Sequence, residues 1–105
     1  MGSTRYEAEI APQNYLRVRI VTERPRQVAD FTVQYETVID GVTYPVVRYD
    51  CAHGYAHRDL LDADGRNVDK LWLAGWDLTR ALNHAISDIR ANWMSYRAEF
   101  LARLR

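Results

Sequence analysis

Leu16, Val18 and Ile20 alternate with Arg17 and Arg19. Successive side chains on a strand point to opposite faces, so this period of two predicts a half-buried strand. Phe31, Val33 and Tyr35 alternate with Thr32, Gln34 and Glu36 in the same way and predict a second strand running to about Ile39. Glu23-Arg24-Pro25-Arg26 reads as the connection between the two. Asp40-Gly41 then separates Ile39 from Val42, and both residue types tolerate the positive φ of a type I′ hairpin turn. The returning strand runs from Val42 to about Asp50, with Pro45 marking an edge or a bulge because it has no N–H to donate. Tyr55 to Leu61 can pair with Val68 to Leu73 through a turn at Asp62-Ala63-Asp64-Gly65-Arg66. The pattern predicts four or five antiparallel strands over about residues 15–73, mostly as a meander of hairpins.

The periodicity changes in the C-terminal third. Leu82, Ile86, Ile89, Trp93, Tyr96, Phe100 and Leu104 follow alternating spacings of four and three, the stripe of an amphipathic helix over about residues 78–104. Asp77 is placed to cap it, and Trp76 and Ala81 stand at hydrophobic-staple positions. About 27 helical residues would span roughly 40 Å, against about 20 Å for a six-residue strand. The helix should therefore outrun its sheet, bend near Asn92, or seat its distal half on a second copy. The four-three spacing is also a coiled-coil seam, so a homodimer through this helix is expected. In the other arrangement Trp93, Tyr96 and Phe100 fold back on the chain's own sheet.

These elements define an α+β fold in one domain spanning residues 1–105: a four- to five-stranded antiparallel β-meander covered by a long C-terminal helix. A length of 105 residues fits one domain, and 48% hydrophobic residues fits a globular core. No apolar run is long enough to span a membrane, and Met1 to Ile10 does not read as a secretory signal. A single cysteine excludes an internal disulfide framework, and a cytoplasmic location is expected. Basic and acidic residues number 14 each, which argues against a uniformly basic groove. The distribution is uneven, with Arg17, Arg19, Arg24 and Arg26 opposed locally only by Glu23. All basic residues except Lys70 are arginine, the side chain suited to bidentate phosphate contacts.

From Arg48 to Asp59 the patterning gives way to a concentration of reactive groups. This stretch holds two of the three histidines, the only cysteine, two arginines, two carboxylates and two tyrosines. Histidine titrates near neutrality and moves protons in either direction. His53 and His57 are thus candidate proton-transfer groups, supported by Arg48 and Asp50. Arg48 and Arg58 are candidate phosphate contacts, Arg17 and Arg19 further candidates for binding the substrate, and Tyr55 a stacking or positioning group. If residues 53–59 are extended, His53, Tyr55, His57 and Asp59 share a face, and one polar sheet face could carry them with Arg17, Arg19, Gln34, Glu36, Arg48 and Asp50. In the other reading these residues form a structural hydrogen-bond network. Cys51, His53, His57 and a nearby aspartate would be suitable zinc ligands by type, but their spacing matches no zinc module, so no metal or other cofactor is assigned. Asp62-x-Asp64-Gly65 lacks the remainder of a calcium loop. Cys51 has no glycine-rich loop beside it to form an oxyanion hole, and His84 falls beside the helical stripe as a surface or interface residue.

Val47 to Arg58, followed by a helix carrying Ala81-Leu82, Ala85-Ile86-Ser87-Asp88-Ile89, Asn92-Trp93 and Tyr96-Arg97, resembles small uncharacterised prokaryotic α+β proteins. More distantly it resembles the TumE-type toxins of bacterial toxin–antitoxin modules, which have an Arg-Tyr-Asp-x-x-x-His-like strand and a nearby second histidine. The resemblance covers about residues 30–97. It implies a site at Arg48, Asp50, His53 and His57, and a cognate antitoxin-like partner. The chain departs from the toxin pattern in the short spacing of its histidines and in Cys51 and Gly54. The expected function is a toxin-like RNA-cleaving or RNA-binding protein; the alternative is a non-catalytic homodimeric interaction or regulatory module.

Overall fold

The computed structural model describes residues 2–104. Six strands, β1 (Gly2–Ala11), β2 (Asn14–Arg24), β3 (Gln27–Ile39), β4 (Val42–Ala52), β5 (Tyr55–Leu61) and β6 (Asn67–Leu73), precede one helix, α1 (Leu78–Arg103). Each strand pairs antiparallel with its sequence neighbours, giving one sheet of order β1-β2-β3-β4-β5-β6. The expected count of four or five strands is corrected to six. The additional strand is β1, where Tyr6, Ala8 and Ile10 alternate with Arg5, Glu7 and Glu9. Its signal is weak because it is an edge strand and most of its residues stay exposed.

The turns follow the local chemistry. Asp40-Gly41 has φ values of 52° and 77°, and His53-Gly54 has 55° and 81°. Both pairs thus have the positive φ that type I′ hairpins need. At Pro45 the register steps from Tyr35 opposite Val47 to Glu36 opposite Pro45, leaving Val46 as the extra residue of a bulge, fully buried. In the loop before β6, Asp62 accepts backbone N–H bonds from Asp64 and Arg66, each at 2.9 Å.

Asp77 caps α1, its carboxylate accepting from the Arg80 backbone N–H at 3.1 Å. The helix lies on the central strands β3, β4 and β5. Leu82, Ala85, Ile89, Tyr96 and Phe100 are buried against Phe31, Val33, Tyr35, Val47 and Tyr49. Trp93 meets the Tyr35 ring edge-on at 6.2 Å, and the Phe100 and Tyr44 rings lie 5.7 Å apart. The helix does not outrun the sheet, because β3 is 13 residues long, or about 43 Å when extended, against about 39 Å for the 26 residues of α1. It also runs unbroken through Asn92. The seam expected to join two copies is packed on the chain's own strands, which removes the length argument for a dimer there. No helix is long and apolar enough to cross a membrane among the described residues.

Candidate functional site

The helix covers one face of the sheet and leaves the other bare. Because strand side chains alternate, the partner registers fix what the open face carries. Arg5 stands opposite Arg19, and Arg19 opposite Thr32. Thr32 donates to the Asp50 carboxylate at 3.2 Å. Asp50 is opposite His57, and His57 opposite Trp72. One residue pair along, a second row runs Glu7, Arg17, Gln34, Arg48, Asp59 and Lys70. Two unbroken rows therefore cross all six strands, a width of about 24 Å at the usual strand spacing.

Neighbouring side chains satisfy one another along these rows. Arg17 reaches Glu7 at 2.9 Å and Glu36 at 3.3 Å. Arg19 holds Asp30 at 2.8 Å and Thr32 at 3.3 Å. Arg48 donates from Nε to Gln34 at 2.7 Å, and Gln34 donates to Glu36. A cleft of about 320 Å³ opens among Arg5, Glu7, Arg17, Arg19, Thr32 and Gln34. Three guanidinium groups line it, and the side chain of Arg17 is 59% exposed.

At the β5–β6 end the character changes from guanidinium to aromatic. His57 is only 5% exposed, its ring centroid 5.0 Å from that of Trp72. Its Nδ1 lies 3.3 Å from the Asp59 carboxylate without a well-directed hydrogen bond. Asp59 also receives Asn67 at 3.2 Å and Lys70 at 3.4 Å. Tyr55 shares this face, two residues before His57, and is exposed. His53 does not join the row; it occupies the exposed turn before β5.

The open face thus brings together Arg17, Arg19, Arg48, Asp50, Tyr55 and His57. Arg58 is excluded, contrary to expectation. It pairs with Tyr49 on the covered face, donates to the Tyr96 hydroxyl at 3.3 Å and approaches Asp69 at 3.6 Å. Cys51 pairs with Ala56 and also faces the helix side, so Cys51 and His57 point to opposite sides of the sheet and cannot share a metal. Burial pushes the Cys51 thiol up to about 11, which keeps it protonated and poorly nucleophilic. Among the described residues no three histidine, cysteine or acidic side chains are grouped to hold a metal.

A family model described as a domain of unknown function (DUF7718) matches residues 1–105. The chain belongs to the DUF7718 family. No curated protein and no solved structure matches it.

Two groups in this DUF7718 chain escaped the sequence reading. Arg5 and Trp72 end the first row, and their signal was the polar parity they share with Glu7 and with Lys70. The other group is a half-buried knot that joins β4 to α1. Tyr49 donates to Asp88 at 2.7 Å, Tyr96 donates to the same oxygen, and Asn92 donates to the other at 2.8 Å. Burial raises the Asp88 carboxyl, but the bonds from Tyr96, Tyr49 and Asn92 outweigh it and hold the group below its ordinary range. Burial, then the bond to Asp88, pushes the Tyr96 phenol up to about 12, and the same causes raise Tyr49 further. Protonated phenols on an ionised acceptor form a structural clasp between strand and helix. No local pattern joins residues 39 positions apart.

Proposed function

We propose that the open sheet face binds single-stranded RNA, as a toxin-like protein of the kind the Arg48–Arg58 segment resembles. The observation that carries this reading is the pair of cross-strand rows, with arginines toward β1–β4 and exposed aromatics at β5–β6. Single-strand binders combine cationic contacts to the backbone with aromatic rings on which bases stack. Arg5, Arg17, Arg19 and Arg48 supply the first and Tyr55 the second. Glu7, Asp30, Glu36 and Asp50 are interleaved with the arginines and compete with phosphate, so binding is expected to be modest and steeply salt-dependent.

Of the two forms of the reading, the geometry favours binding over cleavage. A proton-transfer group has to reach the reacting atom within hydrogen-bond distance. His53 is exposed in its turn, but His57 is buried beside Trp72, out of reach of a substrate on the face as it stands. In this reading the protein is cytoplasmic, and an antitoxin-like partner would cover the same face. A second reading, a non-catalytic interaction module, draws on the mutual satisfaction of the rows, since Arg17, Arg19 and Arg48 already have partners within the chain.

Fluorescence anisotropy with a labelled single-stranded RNA, between 50 and 200 mM salt, tests the proposal over roughly the range in which phosphate contacts weaken. Arg19→Ala should weaken binding for every sequence and lower the salt slope by about one, with stability changed by no more than about 1 kcal/mol. An RNA left intact by wild-type protein in EDTA would limit the function to binding. Cleavage in EDTA that His53→Ala and His57→Ala both abolish would restore the catalytic form. Absence of binding at low salt would leave the interaction module.

A further inference from the structure

We infer that the cleft at the β5–β6 end of the open face is a subsite for one unpaired nucleobase. The inference rests on the RNA-binding reading and adds what the face would recognise besides phosphate. The cleft measures about 410 Å³ and is lined by His53, Tyr55, Trp72 and Ala74, within the size range of small-ligand pockets.

Three features make the occupant a flat ring. First, Tyr55 and Trp72 are 51% and 47% exposed on adjacent strands of one face. The register places Ala56 opposite Leu73 and His57 opposite Trp72, so Tyr55 falls opposite Ala74 and diagonal to Trp72. Diagonal neighbours stand about 7–8 Å apart. The two aromatic side chains therefore flank the cleft from adjacent strands, over the low floor left by the Ala74 methyl, and present it with ring surface on which a planar base can stack. Second, the indole is already held in place. His57 meets it at 5.0 Å and the Lys70 ammonium lies 5.2 Å from its ring centre, so little side-chain freedom is lost when a base stacks on it. Third, the turn fixes His53 at φ 55°, a region that costs a residue with a side chain about 1 kcal/mol or more. His53 lines the cleft at that turn, and its imidazole is a group able to donate to or accept from a base edge. Trp72 also ends the row that begins at Arg5, so a strand lying along the arginines runs into the cleft.

The probes are adenosine monophosphate and ribose 5-phosphate, which share a sugar and phosphate and differ in the base. The nucleotide should quench tryptophan fluorescence in the wild type, and ribose 5-phosphate should not. By calorimetry, Tyr55→Leu should weaken nucleotide binding about tenfold, in line with the loss of one stacking partner. The quench should disappear in Trp72→Leu, and Trp72→Phe should recover binding. Both side chains are about half exposed, and circular dichroism melting would verify that the variants fold. An equal response to ribose 5-phosphate, no response to the nucleotide, or undiminished affinity in Tyr55→Leu would overturn the subsite. RNA binding that ignores Tyr55→Leu would keep the arginine face and remove the subsite. Nucleotide binding without RNA binding would do the reverse.

Discussion

The two faces of this sheet are built from alternate residues of the same strands, yet they hold their polar groups in different ways. On the covered face Tyr49, Tyr96 and Arg58 lie among apolar side chains, and the tyrosines are 1% and 9% exposed. Their bonds tie the helix to itself and to the sheet: Asp88 from α1 receives one hydroxyl from β4 and one from within the helix. On the open face Arg17, Arg19 and Arg48 find their partners on an adjoining strand, still largely within reach of water. A buried polar group left without a partner costs its full desolvation, whereas an exposed ion pair contributes little. Changes on the covered face should therefore unfold the protein, and changes on the open face should alter binding while the fold persists.

The largest expected effect is at Phe100. It is fully buried against Tyr44, and Phe100→Ala should cost about 3–5 kcal/mol through lost burial and an unfilled cavity. Urea melts would measure it; a loss below about 1 kcal/mol would mean that the distal half of α1 is not part of the core.

Asp88→Ala comes next. It removes the acceptor of two buried tyrosine hydroxyls, at roughly 1–3 kcal/mol for each that finds no other; the Tyr49 hydroxyl keeps the His84 imidazole at 3.5 Å. The pH dependence has a definite sign. Because the folded Asp88 carboxyl lies below its ordinary value, its stabilisation is complete above the unfolded carboxylate pKa and is lost as pH falls through the folded one. The Tyr96 phenol is raised to about 12. Its contribution is complete below the ordinary phenol pKa of about 10 and is lost as pH climbs toward the folded value. Wild type and Asp88→Ala should thus differ most across the middle of the pH range and converge at the acid end. A constant difference down to the acid limit would show that Asp88 acts by packing alone.

The smallest expected effect on stability is His53→Asn. Asparagine tolerates positive φ in a type I′ turn, so stability should stay within about 0.5 kcal/mol of wild type while nucleotide affinity falls. A thermal melt beside a nucleotide titration checks both. A large loss of stability would move His53 from the ligand cleft to the fold.

Much of the architecture was legible because it is local. Alternation at Leu16–Ile20 and Phe31–Glu36, the Asp40-Gly41 turn, the Pro45 bulge, the Asp77 cap and the seam from Leu82 to Phe100 each depend on residues a few positions apart. Strand β1 was overlooked because an edge strand with mostly exposed residues carries little hydrophobic contrast. The polar face was foreseen in outline from parity: Arg17, Arg19, Arg48, Asp50 and His57 do share a side. His53 and Arg58 fall outside it for different reasons. Arg58 follows His57 directly, so the same alternation turns it to the covered face, whereas the positive φ of His53 and Gly54 ends β4 and begins β5 with Tyr55, which leaves His53 in the turn.

The sequence by itself determined which segments are strands and helix, where the hairpins turn, and which residues of a strand share a face. These follow from side-chain periodicity and from the φ values each residue accepts. Only the tertiary structure decided the registers that line up Arg5 with Trp72, the burial of His57 beside that indole, the closure of Tyr49 and Tyr96 on Asp88, and the packing of the helical stripe against the chain's own strands. Each of these depends on which elements become neighbours and how far each strand extends. That is a property of the assembled sheet, and no short window of sequence contains it.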